Sequence, residues 1–181
     1  MEIMRTYKMN IAGCERELPL CEVSENLDIA AFVMFGDVEV TEASARELLK
    51  IVPEHDVIVT AEAKGIPLGY EMARQEKGEY VVARKGLKIY MPEYINVEVR
   101  SITTLSIQRL YIGSSDIEKI RDKRVLIVDD VISTGESLAA LKKLVEKAGG
   151  NVVGMAAVLA EGDAVDRDDI IYLEQLPVFP K

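Results

Sequence analysis

Short runs of apolar residues along the chain predict the buried strands of a parallel sheet. The clearest are DVIVT at 56–60, YVVAR at 80–84, VLIV at 125–128 and NVVGMAAVLA at 151–160. Runs this short, rich in β-branched residues and apolar at almost every position, are typical of strands covered on both faces. Because helical patterns separate them, we predict an α/β fold with a mainly parallel twisted sheet flanked by helices.

Three segments have the spacing and the start or stop signals of helices. TEASARELLK at 41–50 has Thr41 as its predicted cap, and IPLGYEMARQ at 66–75 has Pro67 in its first turn. A third helix is expected at 136–148, where two glycines follow it. Strand, helix and strand in this order predict βαβ units, whose ligands bind at the carboxyl ends of the strands.

Composition narrows the class of protein. The 181 residues are 49% hydrophobic and 29% charged, enough for one domain with a real core. The formal net charge of −9 argues against non-specific nucleic-acid binding, which needs clustered Lys and Arg. No signal peptide or membrane-length apolar run is recognisable, so we expect a cytoplasmic protein without a membrane partner. Cys14 and Cys21 lack metal-ligand spacing and are expected to be reduced thiols, although a disulfide between them stays open.

The stretch VLIVDDVISTGES, residues 125–137, combines a buried strand with groups that suit a sugar phosphate. Asp129 and Asp130 follow the apolar run, and their carboxylates can accept hydrogen bonds from vicinal hydroxyls. Residues 133–137 begin the predicted helix, where backbone N–H groups and the helix dipole favour a phosphate and Gly135 allows close approach. The combination predicts a ribose 5-phosphate site, which Mg²⁺ can share because it prefers hard oxygen ligands.

Three other interpretations of this stretch fit its residues less well. An ordinary capped strand–turn–helix explains Ser133 and Thr134, but it does not explain two carboxylates at the end of a strand. A Walker A loop would need a GK[ST] sequence, which is absent. In a receiver domain the acidic pair lies near the start, with a phospho-accepting Asp at the end of a later strand, and this chain has no such arrangement.

The same stretch closely resembles the phosphoribosyl pyrophosphate (PRPP) signature of type I phosphoribosyltransferases. TAEAKGIPLGYEMAR at 60–74 resembles the pyrophosphate loop and following helix of adenine and xanthine phosphoribosyltransferases, and VVARKGLK at 81–88 resembles the strand that leads into their catalytic loop. Together these matches extend from about residue 56 to about residue 159. The resemblance implies the type I fold, Mg²⁺ as cofactor, and a homodimer that binds PRPP and a purine base.

The resemblance also implies roles for individual residues. Asp129 and Asp130 would bind the ribose hydroxyls and share a Mg²⁺ ion that is held mainly through PRPP. The 5-phosphate would be bound by five consecutive residues: Ser133, Thr134, Gly135, Glu136 and Ser137. Pyrophosphate would be bound by Ala63, Lys64 and Gly65, partly through their backbone N–H groups. Arg84 and Lys85 would neutralise it, either within their own subunit or across a dimer interface. The loop at 63–65 belongs to a type that often contains a cis peptide in this family.

Residues 86–103 are the candidate for a mobile lid. Two antiparallel strands are predicted between residues 85 and 114, and an exposed hairpin is the plainer alternative. Adenine enzymes usually carry Glu-Tyr-Gly in the second strand after the lid, whereas this chain has VEVRSITT, nearer to the Ser-x-Thr of xanthine enzymes. Glu98 and Thr103 are therefore candidate catalytic residues, and the choice of base stays open.

We expect a single domain at 1–181 with a core at about 41–160. The base would be bound by a small hood that the terminal segments form, at about 1–40 and 160–181. Phe32 or Phe35 could stack on a purine, although Phe side chains in such runs are more often in the core. Acidic residues follow the last long strand, where Glu161 or Asp163 could accept a hydrogen bond from an exocyclic amino group. A solvated acidic turn is the alternative there.

These patterns favour a purine phosphoribosyltransferase of nucleotide salvage, with adenine as the preferred base. Hypoxanthine, guanine and xanthine are the alternative bases, and an orotate enzyme is a more distant option. A PRPP-binding regulator without catalysis is the alternative from another class. It would need a DNA-binding module, for which the chain has neither spare length nor a basic helix.

Overall fold

The computed structural model describes residues 5–100 and 107–181. Its central sheet has five strands in the order β10-β9-β8-β4-β5, and every pair is parallel. The strands are β4 (Val57–Ala61), β5 (Glu79–Ala83), β8 (Arg124–Ile132), β9 (Asn151–Glu161) and β10 (Ile171–Leu176). The predicted α/β fold with a mainly parallel sheet is confirmed.

Helices cover both faces of this sheet, and the sheet separates two hydrophobic cores. The helices are α1 (Val38–Leu49), α2 (Ile66–Glu76), α3 (Ser114–Ile120) and α4 (Glu136–Lys147). Val125 and Ile127 of β8 pack with α3 and α4, whereas Leu126 and Val128 pack with α1 and α2. Alternate residues of one strand therefore enter opposite cores, as the continuous apolar runs predicted.

The first helix begins earlier than predicted. Asp37, not Thr41, is its N-cap, and the Asp37 carboxylate accepts a hydrogen bond from the backbone N–H of Val40 at 3.2 Å. Thr41 lies inside the helix, buried, with its hydroxyl donating to the Asp37 carbonyl at 2.7 Å. Asp37 is fixed by a bidentate pair with Arg16 from the N-terminal region, a contact that the local pattern did not reveal.

Three further local assignments differ from expectation. Strand β8 does not end at Asp129 and Asp130, because it pairs with β9 through Ile132. Neither α3 nor β10 was predicted from the sequence. His55, interpreted as a surface residue, has a side chain that is only 4% exposed and lies 3.0 Å from the Glu76 carboxylate.

The terminal segments meet in a second, antiparallel sheet in the order β1-β2-β3-β11. Its strands are β1 (Thr6–Ile11), β2 (Cys14–Ser24), β3 (Leu27–Ala30) and β11 (Val178–Pro180). The buried carboxylate of Asp28 contacts Arg5 at 2.5 Å and Lys181 at 3.1 Å, so both ends of the described chain are held at one point. Ile11 and Leu18 of this sheet join the core beneath α1 and α2.

The predicted pair of antiparallel strands is present as β6 (Tyr94–Arg100) and β7 (Ile107–Gly113). Residues 101–106 of the candidate lid lie outside the described residues. Cys14 is buried and Cys21 is exposed, and both are free thiols. Within the described ranges, no helix combines the length and the apolar character needed to cross a membrane.

Candidate active site

The candidate site lies where the parallel strands β4, β8 and β9 end. The loop at 62–65 follows β4, Asp129 and Asp130 lie near the end of β8, and Glu161 is the last residue of β9. Because neighbouring parallel strands end at the same edge of the sheet, residues that are distant in sequence meet there. This placement agrees with the strand-end site that the sequence predicted.

Asp130 is held by the lysine of the loop after β4. Its side chain is 3% exposed, and its Oδ2 lies 2.7 Å from Nζ of Lys64, whose own side chain is 49% exposed. A buried carboxylate is costly unless a cation or hydrogen-bond donors compensate for it. The Lys64 ammonium compensates the charge at ion-pair distance, while Oδ2 of Asp130 accepts no hydrogen bond from the residues that the structure describes.

Asp129 behaves differently from its neighbour. It stays partly exposed, and its Oδ1 accepts a hydrogen bond from the backbone N–H of Asp130 at 2.9 Å. Burial and then the negative charge of Asp130 raise the pKa of Asp129 to about 7, against a weaker opposing effect of Lys64. Two adjacent carboxylates in a poorly solvated site resist double ionisation, so this pair favours hydroxyl donors or a cation beside it.

The loop at 62–65 packs tightly against the acidic pair through Gly65. A Cβ at Gly65 would lie 2.2 Å from Oγ1 of Thr60 and 3.0 Å from Oδ1 of Asp129, so no side chain fits there. Among the described residues, the buried Oγ1 of Thr60 has no hydrogen-bond partner. The peptide bond between Glu62 and Ala63 is cis, as the family resemblance led us to expect.

Glu62 connects this loop to the residues after β5. Its carboxylate accepts hydrogen bonds from Nη1 of Arg84 and from the backbone N–H of Lys85, both at 2.8 Å. Nη2 of Arg84 also donates to the Tyr90 hydroxyl at 2.7 Å. Glu62 was not among the predicted site residues, although an acidic residue directly before Ala63 and Lys64 in a strand-end loop was a usable signal.

The predicted phosphate loop forms a small concave site at the start of α4. Gly135 is the N-cap in the left-handed conformation, with φ of 76°. The cavity has a volume of about 60 Å³, and its lining includes Asp129, Ser133, Thr134 and Ser137. Backbone N–H groups at a helix start, hydroxyl donors and a narrow cavity together suit one phosphate group.

The residues proposed for base binding lie in different environments. Phe32 is 5% exposed within the core, which agrees with the core alternative, whereas Phe35 is 51% exposed. Glu161 is half-buried, and burial raises the pKa of its carboxyl while the charge of Lys64 opposes that shift. Of the two phenylalanines, Phe35 is therefore the one whose ring is exposed, and a role in base binding stays a prediction.

Of the two lid candidates, Glu98 lies among the residues that the structure describes. Glu98 lies on β6 and pairs with Arg109 of β7 at 2.8 Å. Thr103 lies outside the described residues. A catalytic role for either residue stays a prediction.

The family model of the phosphoribosyl transferase domain matches residues 37–178, most of the chain. The chain belongs to the phosphoribosyl transferase family. The adenine phosphoribosyltransferase of Rhodococcus jostii is 33% identical over 126 residues, which are 70% of this chain and 69% of that protein. The hypoxanthine/guanine phosphoribosyltransferase of Methanococcus voltae is 38% identical over 122 residues, 67% of this chain. That alignment spans only 62% of the Methanococcus voltae protein.

Solved structures of the family share the fold. The adenine phosphoribosyltransferase of Thermoanaerobacter pseudethanolicus superimposes with a TM-score of 0.68 at 27% identity, covering 79% of this chain and 84% of that one. The Saccharomyces cerevisiae enzyme, complexed with adenine and an imino-altritol bisphosphate, gives 0.68 at 21% identity and covers 93% of each chain. The fold is therefore that of the type I phosphoribosyltransferases.

Proposed function

We propose that this protein transfers the 5-phosphoribosyl group of PRPP to a free purine base, releasing pyrophosphate and a nucleoside monophosphate. The observation that carries the proposal is the ion pair between Lys64 and Asp130 beside the phosphate loop at 133–137. It joins a cation suited to pyrophosphate, a carboxylate suited to ribose hydroxyls and a phosphate site at one edge of the sheet.

PRPP is proposed to bind across these three features. Its 5-phosphate enters the cavity at Ser133, Thr134, Gly135, Glu136 and Ser137, and its hydroxyls face Asp129 and Asp130. The pyrophosphate lies against Ala63, Lys64 and Gly65, with Arg84 and Lys85 nearby through their contacts with Glu62. In this placement the loop at 62–65 approaches both the leaving group and the sugar.

Lys64 is proposed to change partners when PRPP binds. In the structure its ammonium lies 2.7 Å from the buried Asp130 carboxylate and balances its charge. A ribose hydroxyl can replace the ammonium as a donor to that carboxylate, which frees Lys64 for the pyrophosphate oxygens. Because the lysine side chain is about half exposed, it can move without disturbing the core.

Bond cleavage at C1 of the ribose leaves a cation-like sugar and develops negative charge on the pyrophosphate. The chain stabilises this charge with Lys64, Arg84 and the backbone N–H groups of the loop at 63–65. It also fixes the 5-phosphate and the hydroxyls, so the C1 atom is held in line with the base. A closed lid would exclude water, which otherwise competes with the base as nucleophile.

Mg²⁺ is proposed as the cofactor. Asp129 and Asp130 offer hard oxygen atoms, and the raised pKa of Asp129 marks a site where a nearby cation would be favoured. The described residues contain no cluster of three or more His, Cys, Asp or Glu side chains suited to a metal. Asp129 and Asp130 would contribute to holding an ion that takes its other ligands from PRPP, and the ion would neutralise charge on the leaving group.

Adenine is the favoured base. The phosphoribosyltransferases from Rhodococcus jostii and Thermoanaerobacter pseudethanolicus are both named for adenine, whereas the Methanococcus voltae relative is named for hypoxanthine and guanine. The exposed ring of Phe35 is proposed to stack on the base. Glu161, half-buried at the end of β9, is proposed to accept a hydrogen bond from the exocyclic amino group.

We also propose a cytoplasmic homodimer. Leu87, Ile89 and Tyr90 are 48%, 104% and 63% exposed, and Tyr90 accepts the hydrogen bond from Arg84. An apolar surface beside a substrate-binding arginine suits contact with a second copy of the chain. Light scattering coupled to size exclusion should give the dimer mass, and Ile89→Ser should shift the population toward monomer.

The decisive experiment measures nucleotide and pyrophosphate formation from PRPP and Mg²⁺ with adenine, hypoxanthine, guanine, xanthine, orotate or uracil. Turnover of adenine, lost in Asp130→Asn, would support the proposal, and turnover of another base would correct the choice of base. PRPP binding without turnover of any base would favour a regulatory protein instead. If PRPP does not bind, the assignment of residues 125–137 is wrong.

A further inference from the structure

An arginine from the segment after β9 lies directly against the phosphate loop. A Cβ at Gly135 would lie 2.0 Å from Nη1 of Arg167 and 3.2 Å from its Cζ. The guanidinium therefore occupies the space that a side chain at Gly135 would need. The glycine serves both the left-handed turn of the loop and the approach of this arginine.

Asp169 fixes the orientation of this guanidinium. Nε of Arg167 donates to Oδ1 of Asp169 at 2.8 Å, and Nη2 donates to Oδ2 at 2.7 Å. The two side chains are 31% and 49% exposed, so the pair contributes little to folding stability. Its main consequence is geometric, since a bidentate pair fixes the plane of the guanidinium and leaves Nη1 turned toward the loop.

The phosphate loop itself has no positive side chain. Residues 133–137 contain neither Lys nor Arg, and Glu136 adds a negative charge. Asp129 lies in the wall of the same cavity, where none of the described lining residues is cationic. A phosphate monoester carries nearly two negative charges at neutral pH, so N–H and hydroxyl donors alone would leave it facing carboxylates.

We propose that Arg167 balances the charge of the 5-phosphate from the flank of this loop and is a positioning residue for the phosphoribosyl group. The Arg167 guanidinium lies against Gly135, and Asp169 holds it in that position. Its positive charge therefore attracts the phosphate from the far side of the glycine. The inference rests on the proposed function, because it assumes that the cavity receives the 5-phosphate of PRPP. It adds a determinant of phosphoribosyl affinity that lies outside the PRPP signature at 125–137.

Ribose 5-phosphate and pyrophosphate, used as separate probes, test this role. Calorimetry of Arg167→Gln should show about tenfold weaker binding of ribose 5-phosphate, as expected for loss of a charge-assisted contact. Pyrophosphate affinity should stay within about twofold, because that group lies at the other end of PRPP. Arg167→Lys should retain most of the affinity, and the KM for PRPP should rise in Arg167→Gln without a matching fall in kcat.

Two further variants protect the test from a folding artefact. Asp169→Asn keeps the arginine but loosens its orientation, so it should weaken ribose 5-phosphate binding less than Arg167→Gln does. Arg46→Gln, which removes an exposed pair with Glu47 on α1, is the control and should bind both probes as the wild type does. Thermal unfolding of each variant checks that the fold is retained.

The outcomes separate this inference from the proposed function. If the wild type binds ribose 5-phosphate and Arg167→Gln binds it equally well, the role of Arg167 is wrong and the proposed function stands. Equal weakening of both probes would assign Arg167 a general structural role instead. If the wild type binds neither ribose 5-phosphate nor PRPP, the proposed function itself fails.

Discussion

Nζ of Lys64 lies 2.7 Å from Oδ2 of Asp130, which joins the loop after β4 to the strand that carries the acidic pair. The pair is asymmetric, because the carboxylate is buried and the ammonium is about half exposed. The cost of exchanging its partner therefore falls on the carboxylate, which must find another donor when the lysine leaves. A ribose hydroxyl can be that donor. We therefore expect Lys64 to leave Asp130 only when such a ligand is bound.

Replacement of Lys64 by alanine should therefore destabilise the free protein and leave PRPP able to restore stability. We expect a loss of about 1–2 kcal/mol, since Asp130 becomes a buried carboxylate without a cation, moderated by the exposure of Lys64. Denaturant unfolding with and without PRPP and Mg²⁺ measures both effects. Lys50→Ala, which breaks a pair of the same 2.7 Å length with the more exposed Glu47, is the control and should cost less than about 0.5 kcal/mol.

Ligand affinity should depend on pH through Asp129. The pKa of Asp129 is raised to about 7. Ionising this carboxyl therefore destabilises the folded protein as pH rises above the ordinary pKa of an Asp, and the loss of stability is complete above about pH 7. A cation or hydroxyl donors at the site favour the ionised form, so binding of PRPP with Mg²⁺ should release a proton and tighten as pH rises through about 7. Calorimetry in buffers of different ionisation enthalpy should show this release near pH 6.5, and Asp129→Asn should abolish it. An unchanged proton count in that variant would assign the release to another group.

Gly65 should not tolerate a side chain. In Gly65→Ala the new Cβ would lie 2.2 Å from Oγ1 of Thr60, which should cost about 1–3 kcal/mol of unfolding free energy. Part of that loss should be recovered when Thr60→Ala is added, because the clashing hydroxyl is then gone. Gly86→Ala is the matched control for stability, since a Cβ there meets no atom of the described part of the chain within 4 Å. Equal losses in the two single glycine variants would refute the packing argument.

Glu62→Gln should weaken pyrophosphate binding. The Glu62 carboxylate holds both Nη1 of Arg84 and the backbone N–H of Lys85, so removing its charge frees the cation from its position. We expect the KM for pyrophosphate in the reverse reaction to rise about fivefold, in line with one charge-assisted hydrogen bond. Glu54→Gln, at the exposed pair with Arg124, should leave that KM unchanged. Tighter pyrophosphate binding in Glu62→Gln would mean that Glu62 competes with the ligand instead of positioning Arg84.

Local patterns were sufficient for four of the five strands of the central sheet and for the helices α1, α2 and α4. Apolar runs identified β4, β5, β8 and β9, because buried parallel strands have no polar face. Patterns failed where a tertiary contact decided the outcome. Asp37 caps α1 although Thr41 suited that role, and Arg16 from another element holds Asp37 in place. The side chain of His55 is buried because Pro53 and Glu76 provide its hydrogen-bond partners.

The sequence by itself determined the α/β class, because strand periodicity is a local property. It also predicted a phosphate loop at 133–137 and a ribose-binding acidic pair before it, because helix-start chemistry is local too. Only the tertiary structure decided which groups meet at the strand ends. It pairs Lys64 with Asp130, attaches Glu62 to Arg84, and places Arg167 against Gly135. Each contact joins residues on different elements. The distance between the two residues of each contact depends on how the parallel strands and their loops pack, and a local stretch of sequence does not contain that information.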